Sequence, residues 1–94
     1  MKINDIPNLF QSKIRLAIIT SLIDGSKDFK QLKELTEATD GNLSTHLSKL
    51  EKEGYILSEK HFIQRKPKST YTLTLTGRKA FEEYVELLSS LLKR

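Results

Sequence analysis

The sequence contains no cysteine and only two prolines. Without thiols, a disulfide framework, a thiolate metal site and a thiol redox relay are excluded, and the reducing cytoplasm is the expected location. Long hydrophobic runs are absent as well. The most leucine-rich stretch, residues 81–92, contains three glutamates and is far shorter than the ~20 apolar residues that cross a membrane. We therefore expect a soluble protein with no secretory signal and no membrane partner.

The motifs of catalysis and of metal binding are also missing. The four glycines form neither a phosphate-binding loop nor a nucleophile elbow, and no paired carboxylates stand out. We expect no enzyme and no cofactor. His46 and His61 are the only histidines, fifteen positions apart, whereas zinc needs three or four converging ligands. The pattern therefore predicts no metal site, with His46 as a packing residue and His61 as an exposed strand residue.

The length of 94 residues allows one small domain with one thin core. The net charge is +4, and the excess falls within residues 55–76, which hold four basic residues and one acidic residue. Two interpretations of this segment stay open: an element that projects toward a polyanion, or a solvated loop that happens to be basic.

Apolar spacing predicts two helices in the first part of the chain. The first spans residues 9–23, where apolar residues recur every three or four positions. The second spans about 30–38, with Asp28 as its N-cap and with Leu32 and Leu35 facing the core. A tight break is expected at 39–41.

A third helix is predicted from about 41 to 53, capped by Thr39 or Asp40 and closed by Gly54. At 100° per residue its three leucines form one narrow stripe, which predicts a single buried side. The opposite side is small, polar and weakly basic. Its members are Gly41, Asn42, Thr45, Ser48, Lys49 and Lys52.

The rest of the chain predicts a β-hairpin and a last helix. The first arm, 55–63, alternates imperfectly, so a bulge or bend is expected at a position that the pattern does not give. The second arm, 70–75, alternates strictly. The basic run 64–69 forms the tip, and Pro67 lies there because no ladder donor is needed. Thr76 is expected to cap the helix that follows.

Three stretches carry a resemblance to a known family. FKQLKELTEATDGNLSTHLSKLEKEGYI, from Phe29 to Ile56, resembles the helix-turn-helix of MarR-type and ArsR-type winged-helix transcription regulators. RKPKSTY, from Arg65 to Tyr71, is similar to their wing. LTLTGR, from Leu73 to Arg78, is similar to the junction between wing and helix. The resemblance covers residues 10–80, with the motifs in the expected order and spacing.

The resemblance implies a mainly α fold with a small β-hairpin, a winged helix-turn-helix with a three-helix core over residues 1–94. Its parts are a helix-turn-helix at about 30–54, a wing at about 55–75 and a C-terminal dimerisation helix at about 77–93. It also implies a dimeric DNA-binding regulator whose third helix enters the major groove and whose wing reaches an adjacent groove or the backbone.

The residue types agree with that implication. A helix in the major groove needs small side chains with hydroxyl or amide groups, and an ordinary solvated helix would carry more Glu–Lys pairs. Phosphate contacts are expected from lysines at helix ends, including Lys30 beside free amides of the second helix, and from the wing. Arg65 has an alternative role in a narrow minor groove. The expected DNA-binding residues are Lys30, Gly41, Asn42, Ser44, Thr45, Ser48, Lys49, Lys52, Arg65, Lys66 and Lys68.

The last helix has a broader apolar stripe than one small core can cover. The excess packs either on a second copy, which gives a homodimer, or back on the first helix of the same chain. The expected dimer interface consists of Ile6, Leu9, Phe10, Phe81, Tyr84, Leu88, Leu91 and Leu92.

These observations favour a sequence-specific double-stranded DNA-binding transcription regulator, a homodimeric repressor in the cytoplasm. A second hypothesis is a winged-helix protein-interaction module in a larger assembly, which would show an apolar or acidic patch in place of the polar face and basic tip. An RNA-binding module ranks last, because exposed aromatics on a sheet are not predicted. The sequence identifies neither the operator nor a small-molecule effector.

Overall fold

The computed structural model describes residues 8–93 of the chain and, for side chains, residues 10–93. It begins with a short 3₁₀ helix, Asn8–Gln11, followed by helix α1, Lys13–Ser21. The continuous helix predicted over 9–23 is therefore wrong. Ser12 is extended, and its hydroxyl accepts a hydrogen bond from the Arg15 amide (3.3 Å), so it caps a new helix.

The next segment contains strand β1, Lys27–Asp28, helix α2, Phe29–Thr36, and helix α3, Asp40–Lys52. Asp28 is the N-cap of α2, as predicted, and Thr39 rather than Asp40 caps α3 by accepting from the Asn42 amide (3.2 Å). The break between the helices lies earlier than predicted, because α2 ends at Thr36 and its C-cap, Glu37, has a left-handed φ of +58°.

Strands β2, Ile56–Ile63, and β3, Lys66–Leu73, form the predicted hairpin, which we call the wing. Their register runs without offset from the pair Ile56–Leu73 to the pair Ile63–Lys66, so the expected bulge is absent. Both residues of the connecting turn, Gln64 and Arg65, have positive φ, as in a two-residue type I′ turn. That turn matches the twist of the strands without an extra residue.

Pro67 lies within β3, opposite Phe62, and not at the tip as predicted. The pair that closes a two-residue turn is hydrogen-bonded, and alternate pairs of an antiparallel ladder exchange no bonds. Pro67 therefore stands where β2 requires no donor. On its other edge β3 pairs with β1 only at Thr70 and Tyr71, which gives the sheet order β1-β3-β2.

Helix α4, Leu75–Leu92, begins directly after the wing. Its cap is Thr74 and not the predicted Thr76. The Thr74 hydroxyl accepts from the Gly77 amide (2.9 Å) and donates to the Gly54 carbonyl (2.7 Å). A Cβ at Gly77 would clash with the carbonyl of Tyr55, so this junction requires glycine.

The core joins all three leading helices to the base of the wing. The leucine stripe of α3 is buried, as predicted. In α2 the prediction is half right, because Leu32 is buried but Leu35 is 57% exposed. The inward stripe of α2 continues to Phe29 and Thr36, which lie on the other side of Leu32 at helical spacing. The buried apolar residues are Phe10, Ile18, Ile19, Leu22, Leu32, Leu43, Leu47, Leu50, Ile56 and Leu87.

Helix α4 divides into an attached side and an exposed side. Ala80, Phe81 and Tyr84 pack against the core, whereas Val85, Leu88 and Leu92 are exposed. Across the described part of the chain, no helix combines the length and hydropathy that a membrane crossing requires.

Candidate nucleic-acid interface

The outward side of α3 lies opposite its buried leucines. All seven positions predicted to contact DNA on this helix are exposed, and none of them is acidic. Burial of Leu43, Leu47 and Leu50 fixes the rotation of the helix, so the polar side faces solvent by the same geometry. We call this surface the α3 face. It consists of Gly41, Asn42, Ser44, Thr45, Ser48, Lys49 and Lys52.

Side chains of the α3 face differ in how free they are. The Thr45 hydroxyl donates to the Gly41 carbonyl of its own helix (2.9 Å), so its methyl group and lone pairs remain for a partner. Within residues 10–93, no hydrogen bond engages the side chains of Asn42, Ser44 or Ser48. These three side chains can turn their donors and acceptors toward base edges.

Charge along α3 runs from a neutralised start to a basic end. Asp40 in the first turn forms an ion pair with Lys33 (2.7 Å), whereas Lys49 and Lys52 occupy the last turn. None of the ion pairs found in the described side chains involves either of these two lysines. Both are therefore available for phosphates.

His46 lies between the α3 face and α1 and is half-buried. Burial lowers its pKa, and the nearby positive charges of Arg15 and Lys49 lower it further. The imidazole is therefore neutral at pH 7 and packs at the edge of the face. His61 lies on β2, and the described residues contain no cluster of three or more potential metal ligands.

Asp28 connects α2 to the wing, a role that the sequence analysis missed. One carboxylate oxygen accepts from the Gln31 amide (2.8 Å), and the other contacts the Lys68 ammonium (3.1 Å). The hydrogen bond from the Gln31 amide holds the pKa of Asp28 below its ordinary value, with a further contribution from Lys68. Lys68 is thus partly neutralised within the chain.

The same carboxylate corrects the expectation for Lys30. Its side chain is exposed, but the α2 amides that were expected to assist it in binding a phosphate are occupied by Asp28. A cleft of about 470 Å³ separates the start of α2 from the wing. Its cationic lining consists of Lys30, Lys66 and Lys68.

The wing tip combines cations with exposed apolar side chains. Arg65 in the turn and Lys66 at the start of β3 are both exposed, and the turn itself is shorter than the tip predicted over 64–69. Beside them, the Phe62 ring on β2 is 76% exposed and Ile63 is half exposed, so the expectation that the sheet has no exposed aromatic residue is wrong. The available signal was the pair of large apolar residues directly before the basic run.

The residues of the predicted dimer interface differ in burial. Phe10 is buried inside the chain and stacks on Tyr84 (4.9 Å between ring centroids) and Tyr55 (5.9 Å), so it anchors α4 instead of facing outward. Phe81, Tyr84 and Leu91 are half-buried, whereas Leu88 and Leu92 are exposed. Ile6 and the side chain of Leu9 lie outside the described residues.

Comparisons with known proteins agree on the fold. Residues 14–92 match the family model described as a winged helix DNA-binding domain. The uncharacterized protein MJ0432 of Methanocaldococcus jannaschii is 38% identical over 79 residues, which is 82% of this chain and 85% of that protein.

Solved structures of transcription regulators superpose on most of the chain. A transcriptional regulator of the MarR family from Enterococcus faecalis V583 superposes with a TM-score of 0.82 at 25% sequence identity. The match covers 97% of this chain and 83% of the regulator. PadR of Bacillus subtilis superposes with a TM-score of 0.68 at 23% sequence identity, and the match covers 78% of this chain and 45% of PadR.

Proposed function

Because the chain belongs to the winged helix DNA-binding domain family, we propose that it is a transcription regulator that binds double-stranded DNA sequence-specifically. It acts as a homodimer and represses by occupying a promoter. The observation that carries this proposal is the α3 face, where small polar side chains and two lysines are exposed without an acidic residue. PadR, whose fold is similar, was solved in complex with operator DNA, which supports the same class of partner.

The dimensions of the wing suit a second contact on the same duplex. From buried Ile56 to exposed Phe62, β2 rises about 20 Å at the usual ~3.3 Å per residue. A turn of B-DNA is about 34–36 Å, so neighbouring grooves lie roughly half that distance apart along the axis. With α3 in a major groove, the tip of the wing reaches the adjacent minor groove or its phosphates.

The exposed side of α4 supports the homodimer. Val85, Leu88 and Leu92 follow one another at helical spacing, and Leu91 beside them is half-buried. The opposite side of α4 already packs on the core of its own chain through Phe81. The exposed apolar strip is therefore left for a second copy, and a two-fold axis there presents two α3 faces to a pseudo-palindromic site.

Binding is tested first by electrophoretic mobility shift with duplex DNA at low and high salt. We expect a retarded complex that weakens steeply as salt rises, because phosphate contacts release counterions. Absence of a complex at low salt would overturn the proposed function.

Light scattering tests the homodimer, and we expect twice the chain mass of 10.8 kDa. Leu88→Glu should give the monomer mass, because it places a charge in the apolar strip. Leu75→Glu is the matched control, since Leu75 is 87% exposed at the start of the same helix. A dimer that survives Leu88→Glu would exclude this interface.

A further inference from the structure

The Phe62 ring is 76% exposed although it lies on a strand that pairs with β3 along its whole length. It lies in register opposite Pro67, on the sheet side whose base contributes Ile56 and Leu73 to the core. Beyond the core, that side of the wing has no covering element among the described residues. Covering an aromatic ring of this kind with a partner removes apolar surface from water and therefore favours binding.

The charge around Phe62 indicates the chemistry of that partner. Lys60 lies two positions earlier on the same side of the sheet, and Arg65 follows in the turn, whereas Lys66 begins β3 on the opposite side, paired with Ile63. Between Glu59 and Glu82 the sequence contains no acidic residue. An apolar ring with Lys60 and Arg65 nearby is complementary to the groove of a polyanion, where phosphates flank apolar sugar surfaces.

The backbone that carries the ring is also held in place before binding. The two-residue turn and the unbroken β2–β3 register fix the strand, and the ion pair between Asp28 and Lys68 ties β3 to α2. Little further ordering is needed when the ring is covered, which favours contact.

We propose that Phe62 is a DNA-contact residue of the wing, whose ring lies against deoxyribose and base edges in the minor groove next to the groove that α3 occupies. This inference rests on the proposed function and adds an apolar contact to the cationic contacts of the wing. Apolar side chains that enter the minor groove are a known way of widening and bending a duplex.

Tryptophan fluorescence tests the contact directly, because the chain has no tryptophan. Phe62→Trp introduces a single reporter at the tip, and Leu57→Trp places a matched reporter near the base of β2, where the native side chain is 59% exposed. On addition of a bound duplex, we expect Trp at position 62 to shift to the blue and lose accessibility to acrylamide. Trp at position 57 should change little.

Affinity provides the second measurement. Phe62→Ala should weaken binding by about tenfold, as expected for burying part of an aromatic ring. The slope of log K against log salt should stay unchanged, because no phosphate contact is lost. Leu57→Ala should leave both quantities unchanged.

The outcomes separate this inference from the proposed function. If the wild type binds no duplex, the proposed function fails. If the wild type binds but Phe62→Ala binds equally well and Trp at position 62 remains quenchable, the wing contact is overturned. Protection of Trp at position 62 without DNA, rising with protein concentration, would show that a second copy covers the ring and would also overturn it.

Discussion

The α3 face and the wing carry the two halves of the proposed interface, but they are held in different ways. Three leucines of α3 are buried in the core, whereas Ile56 is the only buried residue of β2. The base of the wing packs on the core through Ile56, Tyr71 and Leu73, and the rest of it is positioned by its own ladder, by β1 and by the ion pair between Asp28 and Lys68. The side chains that we propose to read bases thus lie on the element anchored in the core, and the long cations lie on the projecting one.

The largest expected effect is a difference in how much a substitution in α3 and one in the wing lower the free energy of unfolding. Leu43→Ala should lower the free energy of unfolding by about 2–5 kcal/mol, because Leu43 is fully buried. Leu57→Ala on the wing should change it by less than about 0.5 kcal/mol. Urea denaturation of the two variants measures the difference, and equal losses would show that the wing belongs to the core.

The next effect concerns charge. Replacing both Arg65 and Lys66 by Ala removes about four phosphate contacts per dimer and should flatten the slope of log K against log salt by about 3–4 units. Lys68 is left in place because Asp28 already partly neutralises it. Lys79→Ala on the exposed surface of α4 is the control. An unchanged slope would mean that the wing tip does not touch DNA.

A smaller effect tests base reading by α3. Ser48→Ala should cost about 1–3 kcal/mol on a preferred duplex and much less on random DNA. Thr45→Val keeps the methyl group and removes a hydroxyl that already donates to Gly41, so it should cost less than Ser48→Ala. Fluorescence anisotropy on both duplexes measures these values. Equal losses of Ser48→Ala on the two duplexes would show that Ser48 is not a reader.

The smallest effect concerns Asp28→Asn, which keeps the N-cap but removes the ion pair with Lys68. Unfolding should become easier by less than about 1 kcal/mol, and DNA binding should tighten because Lys68 is released.

The lowered pKa of Asp28 gives a pH signature. Its stabilising contribution is present above the unfolded pKa of about 4 and is lost as pH falls through the lower folded pKa. The Asn variant should lack this loss, which acid titration of unfolding stability can detect. A variant with the acid sensitivity of the wild type would contradict the role of Asp28.

The contrast between the two regions also explains what the sequence could predict. Leucine spacing within α3 is local, so it predicted both the buried stripe and the opposite face. The basic tip was equally visible as a run of charge. The ion pair between Asp28 and Lys68 joins residues forty positions apart, and β1 is only two residues long. Neither leaves a periodic signal.

The junction before α4 shows a second kind of limit. The stretch TLTLTG offers Thr74 and Thr76 as caps of equal chemical quality. Thr74 is the cap because its hydroxyl also donates a hydrogen bond to the carbonyl of Gly54, twenty positions earlier. Likewise, Leu35 fits a helical stripe locally, but the core is met by the side of α2 that carries Phe29 and Leu32.

Selection of bound duplexes from a random pool tests the central claim most directly. The account predicts an enriched inverted repeat with half-sites about one helical turn apart, one for each α3 face of the homodimer. The Arg65 and Lys66 double variant should select the same sequence at low salt, whereas Ser48→Ala should lose preference at the position that it reads. A pool that remains random for the wild type, at a salt concentration where DNA is bound, would contradict sequence reading by α3.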